Sequence, residues 1–90
     1  MTISIKILSN NEYEVTVKSK TVTTHLVALS DEVHEKLTKE KVTKKELLDF
    51  SFKFLLDREP NTSILSFFEL TVISRYFSDY EKSVKKWCSS

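Results

Sequence analysis

The segment TKKELLDFSFKFLLD, residues 43–57, constrains the fold most, because it has the pattern of a helix with an unusually wide apolar surface. Thr43 and Glu46 have the spacing of a capping box, in which each side chain accepts a hydrogen bond from the backbone N–H of the other residue. Apolar side chains cover most of the helix circumference when successive residues are placed about 100° apart. A surface helix needs an apolar stripe of only about 100°. We therefore predict that this central helix, residues 43–58, packs on a sheet and also against other helices.

Three segments before the central helix alternate apolar and polar residues, which is the pattern of half-buried strands. They are residues 2–8, 12–18 and 22–29. A three-residue loop between the first two would place the three isoleucines of the first strand opposite the apolar residues of the second, whereas a two-residue loop would mix the two faces. We therefore predict the three-residue loop and a three-stranded antiparallel meander.

The register between the second and third strands depends on the connection around residues 19–20. A connection centred there predicts that Val17 lies opposite Val22 and that Tyr13 lies opposite Leu26. His25 would then lie on the face of the sheet opposite to Tyr13.

Helices are predicted after the meander by caps and by apolar spacing. Ser30 precedes two acidic residues, which predicts the N-cap of a short helix ending near Thr38 or Lys39. The predicted fold class is α+β: a three-stranded antiparallel meander followed by three or four helices.

The segment after Pro60 contains two further pairs with capping-box spacing. Ser66 with Glu69 predicts a helix through FFELTVISRYF, and Ser78 with Glu81 predicts the last helix. The alternative for residues 70–73 is a strand, because this stretch is rich in β-branched residues.

Composition indicates a single domain, residues 1–90, with a modest core. The 14 basic and 13 acidic residues give a net charge of +1, whereas nucleic-acid-binding proteins usually have a basic bias. The chain has no glycine, which argues against Gly-rich phosphate-binding loops. A single cysteine and the lack of long apolar runs favour a cytoplasmic location without a membrane segment.

Residues that could carry chemistry are few. His25 and His34 are the two histidines, and Cys88 is the one cysteine. Their unrelated spacings do not match a zinc site, which needs three or four ligands held close together. Cys88 would need a base and an orienting group to act as a nucleophile. We therefore expect no enzyme activity, no metal and no cofactor.

A local basic cluster surrounds the start of the central helix and is a candidate contact for phosphate or for an acidic partner. The candidate residues are Lys39, Lys41, Lys44 and Lys45. Acidic residues interleave with these lysines, and this mixture favours a solvated face instead.

Aromatic residues are concentrated in the last third of the chain, which holds six of the ten. Most of them must be core, but a chain of this size cannot easily bury all of them together with the central helix. Tyrosine and tryptophan are enriched at interfaces because they combine an apolar body with a polar tip. Tyr76, Tyr80 and Trp87 are therefore candidate partner-binding residues.

Residues 26–58 resemble the ribbon-helix-helix family of DNA-binding proteins. LVALSDEVHEKL is similar to the strand and first helix of that family, and VTKKELLDFSFKFLL is similar to its second helix. The resemblance implies a dimer whose paired strands enter the major groove and present Thr24, Leu26 and Ala28 to the bases. None of these is an Arg, Lys, Asn or Gln of the kind that fits base edges.

A longer part of the chain, from the hairpin through REPNTSIL and FELTVISRYF, resembles a group of small bacterial proteins of uncharacterised function. That resemblance implies a bacterial origin and no particular activity. The hypothesis from the sequence is a non-enzymatic, cytoplasmic protein-interaction module whose partner is another protein or a second copy of itself. The alternative is a dimeric ribbon-helix-helix-like DNA-binding regulator, which the balanced charge disfavours.

Overall fold

A four-stranded sheet is covered on one face by helices in this computed structural model, which describes residues 2–89. The strands are β1 (Thr2–Ile7), β2 (Glu12–Lys18), β3 (Val22–Ala28) and β4 (Phe67–Glu69). The helices are α1 (Asp31–Thr38), α2 (Lys44–Leu56), α3 (Val72–Tyr76) and α4 (Tyr80–Ser89), with a 3-10 turn at Asn61–Ser63. The predicted α+β class is confirmed.

The register of β1 against β2 is the predicted one. Ile3 lies opposite Val17 and Ile7 lies opposite Tyr13. This pairing keeps the apolar side chains of both strands on the helix-covered face. The three-residue loop was predicted for this reason.

The predicted register of β2 against β3 is wrong by one residue. Val17 pairs with Thr23, and Tyr13 pairs with Val27. The shift places His25 and Val27 on the covered face, where both are buried. The predicted register would have placed Leu26 there and exposed Val27 instead. A one-residue slip exchanges the two faces of a strand, so this difference decides which residues of β3 belong to the core.

The sheet has a fourth strand that the sequence did not predict. The spacing of Ser66 and Glu69 predicted a helix, but their capping box does not form. Phe67–Glu69 is instead β4, which pairs with β3 in parallel and places Phe68 opposite Val27. The pairing supplies a partner to the edge of β3 and buries the Phe68 ring in the core. The three-stranded meander is therefore only part of the sheet, and the helix predicted from Ser66 is confined to α3.

The central helix α2 has the predicted cap. The backbone N–H of Thr43 donates to Glu46 Oε1 at 2.9 Å, and that of Glu46 donates to Thr43 Oγ1 at 3.1 Å. The Phe52 ring is fully buried, and its centroid lies 5.5 Å from that of His25 on β3 and 6.1 Å from that of Phe68 on β4. The sheet thus covers one side of α2.

The C-terminal helices cover a second side of α2. The Phe54 ring makes edge contacts with Phe77 after α3 and with Tyr80 at the start of α4. The α4 helix begins at Tyr80, and within residues 2–89 Ser78 makes no side-chain capping hydrogen bond, so the predicted Ser78–Glu81 box is also absent. The wide apolar surface of α2 therefore has the neighbours that its sequence requires.

The connection between α1 and α2 is formed without glycine. Ser30 caps α1 as predicted, and its hydroxyl accepts a hydrogen bond from Val33 N–H. Lys39 and Glu40 follow α1 with φ angles of 53° and 60°, a left-handed conformation that is uncommon outside glycine. The buried Thr38 hydroxyl accepts from Glu40 N–H at 3.2 Å and so helps to hold this turn.

A buried polar pair joins α2 to α4. Ser51 Oγ donates to the Leu47 carbonyl at 2.7 Å, so the Tyr80 hydroxyl must be the donor in its 2.5 Å hydrogen bond to Ser51 Oγ. Both side chains are fully buried. Burial raises the pKa of Tyr80 well above its usual value, because the phenolate would lose its hydration.

We expect Tyr80→Phe to lower the free energy of unfolding at pH 7 by about 1 kcal/mol, since one buried hydrogen bond is lost. This difference should narrow above about pH 10, where tyrosine ionises in the unfolded chain. The raised pKa of folded Tyr80 means that its side chain ionises first in the unfolded state, so alkaline pH destabilises the wild type more than the variant. Urea denaturation across this range measures the effect.

The control for this experiment is Tyr76→Phe, because 71% of Tyr76 is exposed. It should change neither the stability at pH 7 nor its alkaline dependence. If the difference in free energy of unfolding between wild type and Tyr80→Phe stays constant up to high pH, the Tyr80 hydroxyl is not the buried group with the raised pKa.

Candidate functional site

A groove of about 380 Å³ lies at the β4 edge of the sheet, between α3 and the C-terminal end of α2. We call it the β4 groove. Its lining residues come from α2 and the turn after it, the loop before β4, β4 itself, and α3 with the residue that follows it: Leu55, Glu59, Ser63, Ile64, Leu65, Phe68, Val72, Ile73, Tyr76 and Phe77. Eight of these ten side chains are apolar or aromatic, so the groove suits an apolar occupant.

The floor and the rim of the β4 groove differ in exposure. The floor is buried core, formed by Leu55, Ile64, Phe68 and Ile73. The rim carries Tyr76, which is 71% exposed. The groove is therefore a place where the hydrophobic core opens to solvent beside an exposed aromatic ring.

A hydrogen-bond network holds the loop before β4 against β3. His25 Nδ1 lies 2.8 Å from the Leu65 carbonyl, which can only accept, so Nδ1 carries the proton. In the neutral ring, His25 Nε2 then accepts from the Thr23 hydroxyl at 2.8 Å. Asn61 Nδ2 donates to Thr23 Oγ1 and to the Thr21 carbonyl. The groove wall is thus fixed to the sheet by polar groups that are largely shielded from solvent.

Arg58, which follows α2, holds the side of the β4 groove that α3 forms. The guanidinium carbon lies 3.6 Å from the centroid of the Phe54 ring and 5.9 Å from that of Phe77. Arg58 also donates to the Phe54 carbonyl at 3.0 Å and forms a 2.9 Å ion pair with Asp79. These contacts fix the segment between α3 and α4 against the end of α2.

Glu59 is the one ionisable carboxylate in the lining of the β4 groove. Within residues 2–89 its carboxylate forms no ion pair. It lies in a mostly apolar surface, where an opposite charge on a ligand would be weakly screened compared with bulk water. Glu59 therefore contributes a negative charge to an otherwise mostly apolar lining.

The residues that could carry chemistry do not converge. His34 Nε2 bonds the Val42 carbonyl at 2.6 Å, whereas His25 belongs to the network before β4. Burial raises the pKa of the Cys88 thiol, which disfavours the reactive thiolate. Residues 2–89 contain no group of three or more His, Cys, Asp or Glu side chains arranged to hold a metal ion.

The three aromatic residues predicted to bind a partner have different surroundings. Tyr76 is at the rim of the β4 groove. Tyr80 is fully buried against Ser51, so it is not accessible to a partner. Trp87 is half-buried on α4, where its ring stacks on Phe50 with centroids 4.4 Å apart and an angle of 14°. Of the three, Tyr76 alone lines the groove.

One residue of the predicted basic cluster, Lys44, has a structural role. Lys44 Nζ lies 2.6 Å from Asp31 Oδ1 and donates to the Asn10 carbonyl at 2.8 Å, and its side chain is only 11% exposed. The hydrogen bond from Lys44 holds the pKa of Asp31 below its usual value. The other three lysines, Lys39, Lys41 and Lys45, are exposed. Lys44 therefore fastens the β1–β2 loop to α1.

Sequence reasoning missed the loop and strand that form the floor of the groove. The run ILSFF, residues 64–68, has an apolar residue at four of its five positions, and a short apolar run is a recognised signal for a strand. The capping-box spacing of Ser66 and Glu69 obscured that signal. Glu59 was also missed, because nothing local marks it as the polar end of a groove.

No protein-family model matches the chain, and comparison with curated proteins and with solved structures gives no match. Within the part of the chain that the structure describes, no helix has the length and apolar character needed to cross a membrane.

We expect His25→Leu to lower the free energy of unfolding by about 2 kcal/mol, since the Leu65 carbonyl and the Thr23 hydroxyl both lose a partner. The Leu26 amide, which donates to the Ser66 carbonyl, should also exchange its hydrogen faster. Urea denaturation and hydrogen exchange measure the two effects. Thr24→Leu, an exposed position on the same strand, is the control and should leave both unchanged within about 0.5 kcal/mol. A stable His25→Leu variant would show that the network does not hold the loop.

Proposed function

We propose that this protein is a protein-interaction module whose β4 groove binds a short apolar segment of a partner protein. The observation that carries the proposal is the exposed Tyr76 ring at the rim of an apolar groove whose floor is core. Aromatic side chains beside well-packed apolar pockets contribute a large share of the binding energy at protein interfaces. The expected cytoplasmic location stays a prediction.

Apolar exposure near the groove extends to β4 and to the loop before it. The exposed fraction is 49% for Leu65 and 62% for Phe67. Leu65 and Tyr76 line the groove, whereas Phe67 points to the other face of β4, because its neighbour Phe68 points into the groove. Exposed apolar side chains beside an apolar groove are typical of interaction surfaces.

The outer edge of β4 supports an extended partner segment. Leu26 N–H donates to the Ser66 carbonyl at 2.8 Å, and Leu70 N–H donates to the Ala28 carbonyl at 3.0 Å. Because main-chain groups alternate in direction along a strand, the N–H and C=O groups of Phe67 and Glu69 point away from β3. β4 is the last strand of the sheet. A peptide can therefore add beside it as a further strand, in the manner of β-augmentation.

The partner segment has a definite chemistry under this proposal. Its side chains toward the helices are apolar and enter the β4 groove. A lysine or arginine lies near Glu59, the ionisable carboxylate of the lining. Alternate side chains of an extended peptide point to opposite faces, so apolar residues two positions apart are the expected pattern.

The alternative function, DNA binding through paired strands of a dimer, fits the fold less well. The ribbon-helix-helix arrangement pairs the strand before the first helix with its copy in the second chain. Here that strand is β3, which already pairs with β2 on one side and with β4 on the other. Pairing with a second copy would require the sheet to open.

Selection from a phage-displayed library of random linear peptides tests the proposed function. We expect enriched peptides with apolar residues at alternate positions and a basic residue. Fluorescence anisotropy with a selected, labelled peptide should show binding that Tyr76→Ala weakens about tenfold or more, as at an interface hot spot. Glu59→Gln should weaken binding less and reduce its dependence on salt.

Lys53→Ala is the control, because Lys53 lies on the polar strip of α2 and pairs with Asp49. It should bind the selected peptide with unchanged affinity. Failure to enrich any peptide, or equal affinity for the Tyr76→Ala and wild-type proteins, would refute the proposal.

A further inference from the structure

The strand at the other edge of the sheet, β1, is unusually open to pairing. It is six residues long, whereas β4 at the opposite edge has three. Monomeric proteins usually protect an edge strand by shortening it, by a proline, by a bulge or by charges. β1 contains no proline, its register with β2 runs without a bulge, and its one charged residue is Lys6.

The covered face of β1 is also incompletely buried. Ile3 and Ile5 are half-buried, and Ile7 is 64% exposed although it points to the same side as the core. The helices therefore stop short of this edge. An exposed isoleucine on the core side of an edge strand is an apolar surface that the single chain does not cover.

The hydrogen bonds between β1 and β2 show which N–H and C=O groups of β1 point to the free edge of the sheet. Leu8 N–H donates to the Glu12 carbonyl, so residues 8 and 12 form a hydrogen-bonded pair. Hydrogen-bonded and non-hydrogen-bonded pairs alternate along an antiparallel ladder. Lys6, Ser4 and Thr2 therefore bond to β2. The N–H and C=O groups of Ile3, Ile5 and Ile7 point to the free edge.

A second copy of β1 fits this edge in one particular antiparallel register. With Ile5 opposite Ile5 of the second copy, Ile3 lies opposite Ile7, and all three pairs are hydrogen-bonded pairs. A two-fold axis through Ile5 makes the contact self-complementary. The three isoleucines of each strand then meet on the core side, where the exposed Ile7 gains an apolar neighbour.

The polar side of the strand is compatible with the same register. Lys6 lies opposite Ser4 of the second copy, and Thr2 lies opposite Leu8. No like charges meet directly, and like charges opposite each other would destabilise the pair. The alternative register, with Ser4 opposite Ser4, pairs Ile3 with Ile5 and leaves Ile7 without an isoleucine partner.

We propose that the protein forms a symmetric homodimer in which two β1 strands pair in antiparallel orientation about Ile5 and join the two sheets into one of eight strands. The dimer contact is at the edge opposite the β4 groove. It therefore leaves both grooves open at the two ends of the joined sheet, and it stands independently of the proposed peptide binding.

Sedimentation velocity of the full chain tests the dimer. We expect a species of twice the 10.5 kDa chain mass at high concentration. Ile5→Pro should raise the dimer dissociation constant about tenfold or more, because it removes the N–H that bonds the second copy. Proline is tolerated there, since that N–H points to the free edge and not to β2.

Ile5→Val is the matched control, because it keeps the N–H and the β-branched side chain, and it should remain dimeric. Circular dichroism should show that Ile5→Pro is folded. A wild type that sediments as a monomer at all concentrations would overturn the proposal, as would a folded Ile5→Pro variant that dimerises as the wild type does.

Disulfide trapping tests the register without perturbing the core. Ser4 and Lys6 are exposed, and in the proposed dimer they form a non-hydrogen-bonded pair with Cα atoms about 4.5 Å apart, which suits a disulfide. In a Cys88→Ala background, a mixture of Ser4→Cys and Lys6→Cys chains should cross-link on oxidation, whereas neither chain alone should. Cross-linking of Ser4→Cys alone would overturn the register in favour of the alternative one.

Discussion

The burial of the α2 apolar surface is the interaction on which the rest of the structure depends. Phe52 lies at its centre, fully buried, with His25 of β3 and Phe68 of β4 against its ring. A buried aromatic ring of this kind contributes about 3–5 kcal/mol relative to alanine. The same helix places Phe54 against Phe77 and Tyr80, so the sheet and the C-terminal helices are joined through one element.

Polar groups inside this core determine the shape of the β4 groove. His25 connects β3 to the Leu65 carbonyl, and Asn61 connects the turn after α2 to Thr21 and Thr23. Each of these groups would be costly to bury without its partner, so the loop has few alternative positions. These contacts thus fix the loop that forms one wall of the groove.

The two edge strands of the sheet, β1 and β4, both have unpaired main-chain groups but differ in length and in the apolar surface beside them. A strand at an edge offers main-chain groups that no neighbour satisfies within the chain. β4 is short and has a groove beside it, whereas β1 is long and its isoleucines are incompletely covered. The β4 edge with its groove suits a peptide, and the β1 edge with its isoleucines suits a second copy of the same strand. A dimer through β1 would present two grooves facing away from each other.

Local interactions account for what the sequence determined by itself: the caps of Ser30 and Thr43, the presence of the helix α2, and the register of β1 against β2. Each involves residues close along the chain, whose geometry is set by nearby hydrogen bonds and by side-chain alternation. The tertiary structure decided the β2–β3 register, the pairing of Phe67 with Leu26 and the burial of Tyr80. Tyr76 could be proposed from composition, but Glu59 and the groove floor could not. The groove brings together residues that are far apart in the chain, and contacts such as the hydrogen bond from His25 to a carbonyl 40 positions away are not encoded by any local pattern.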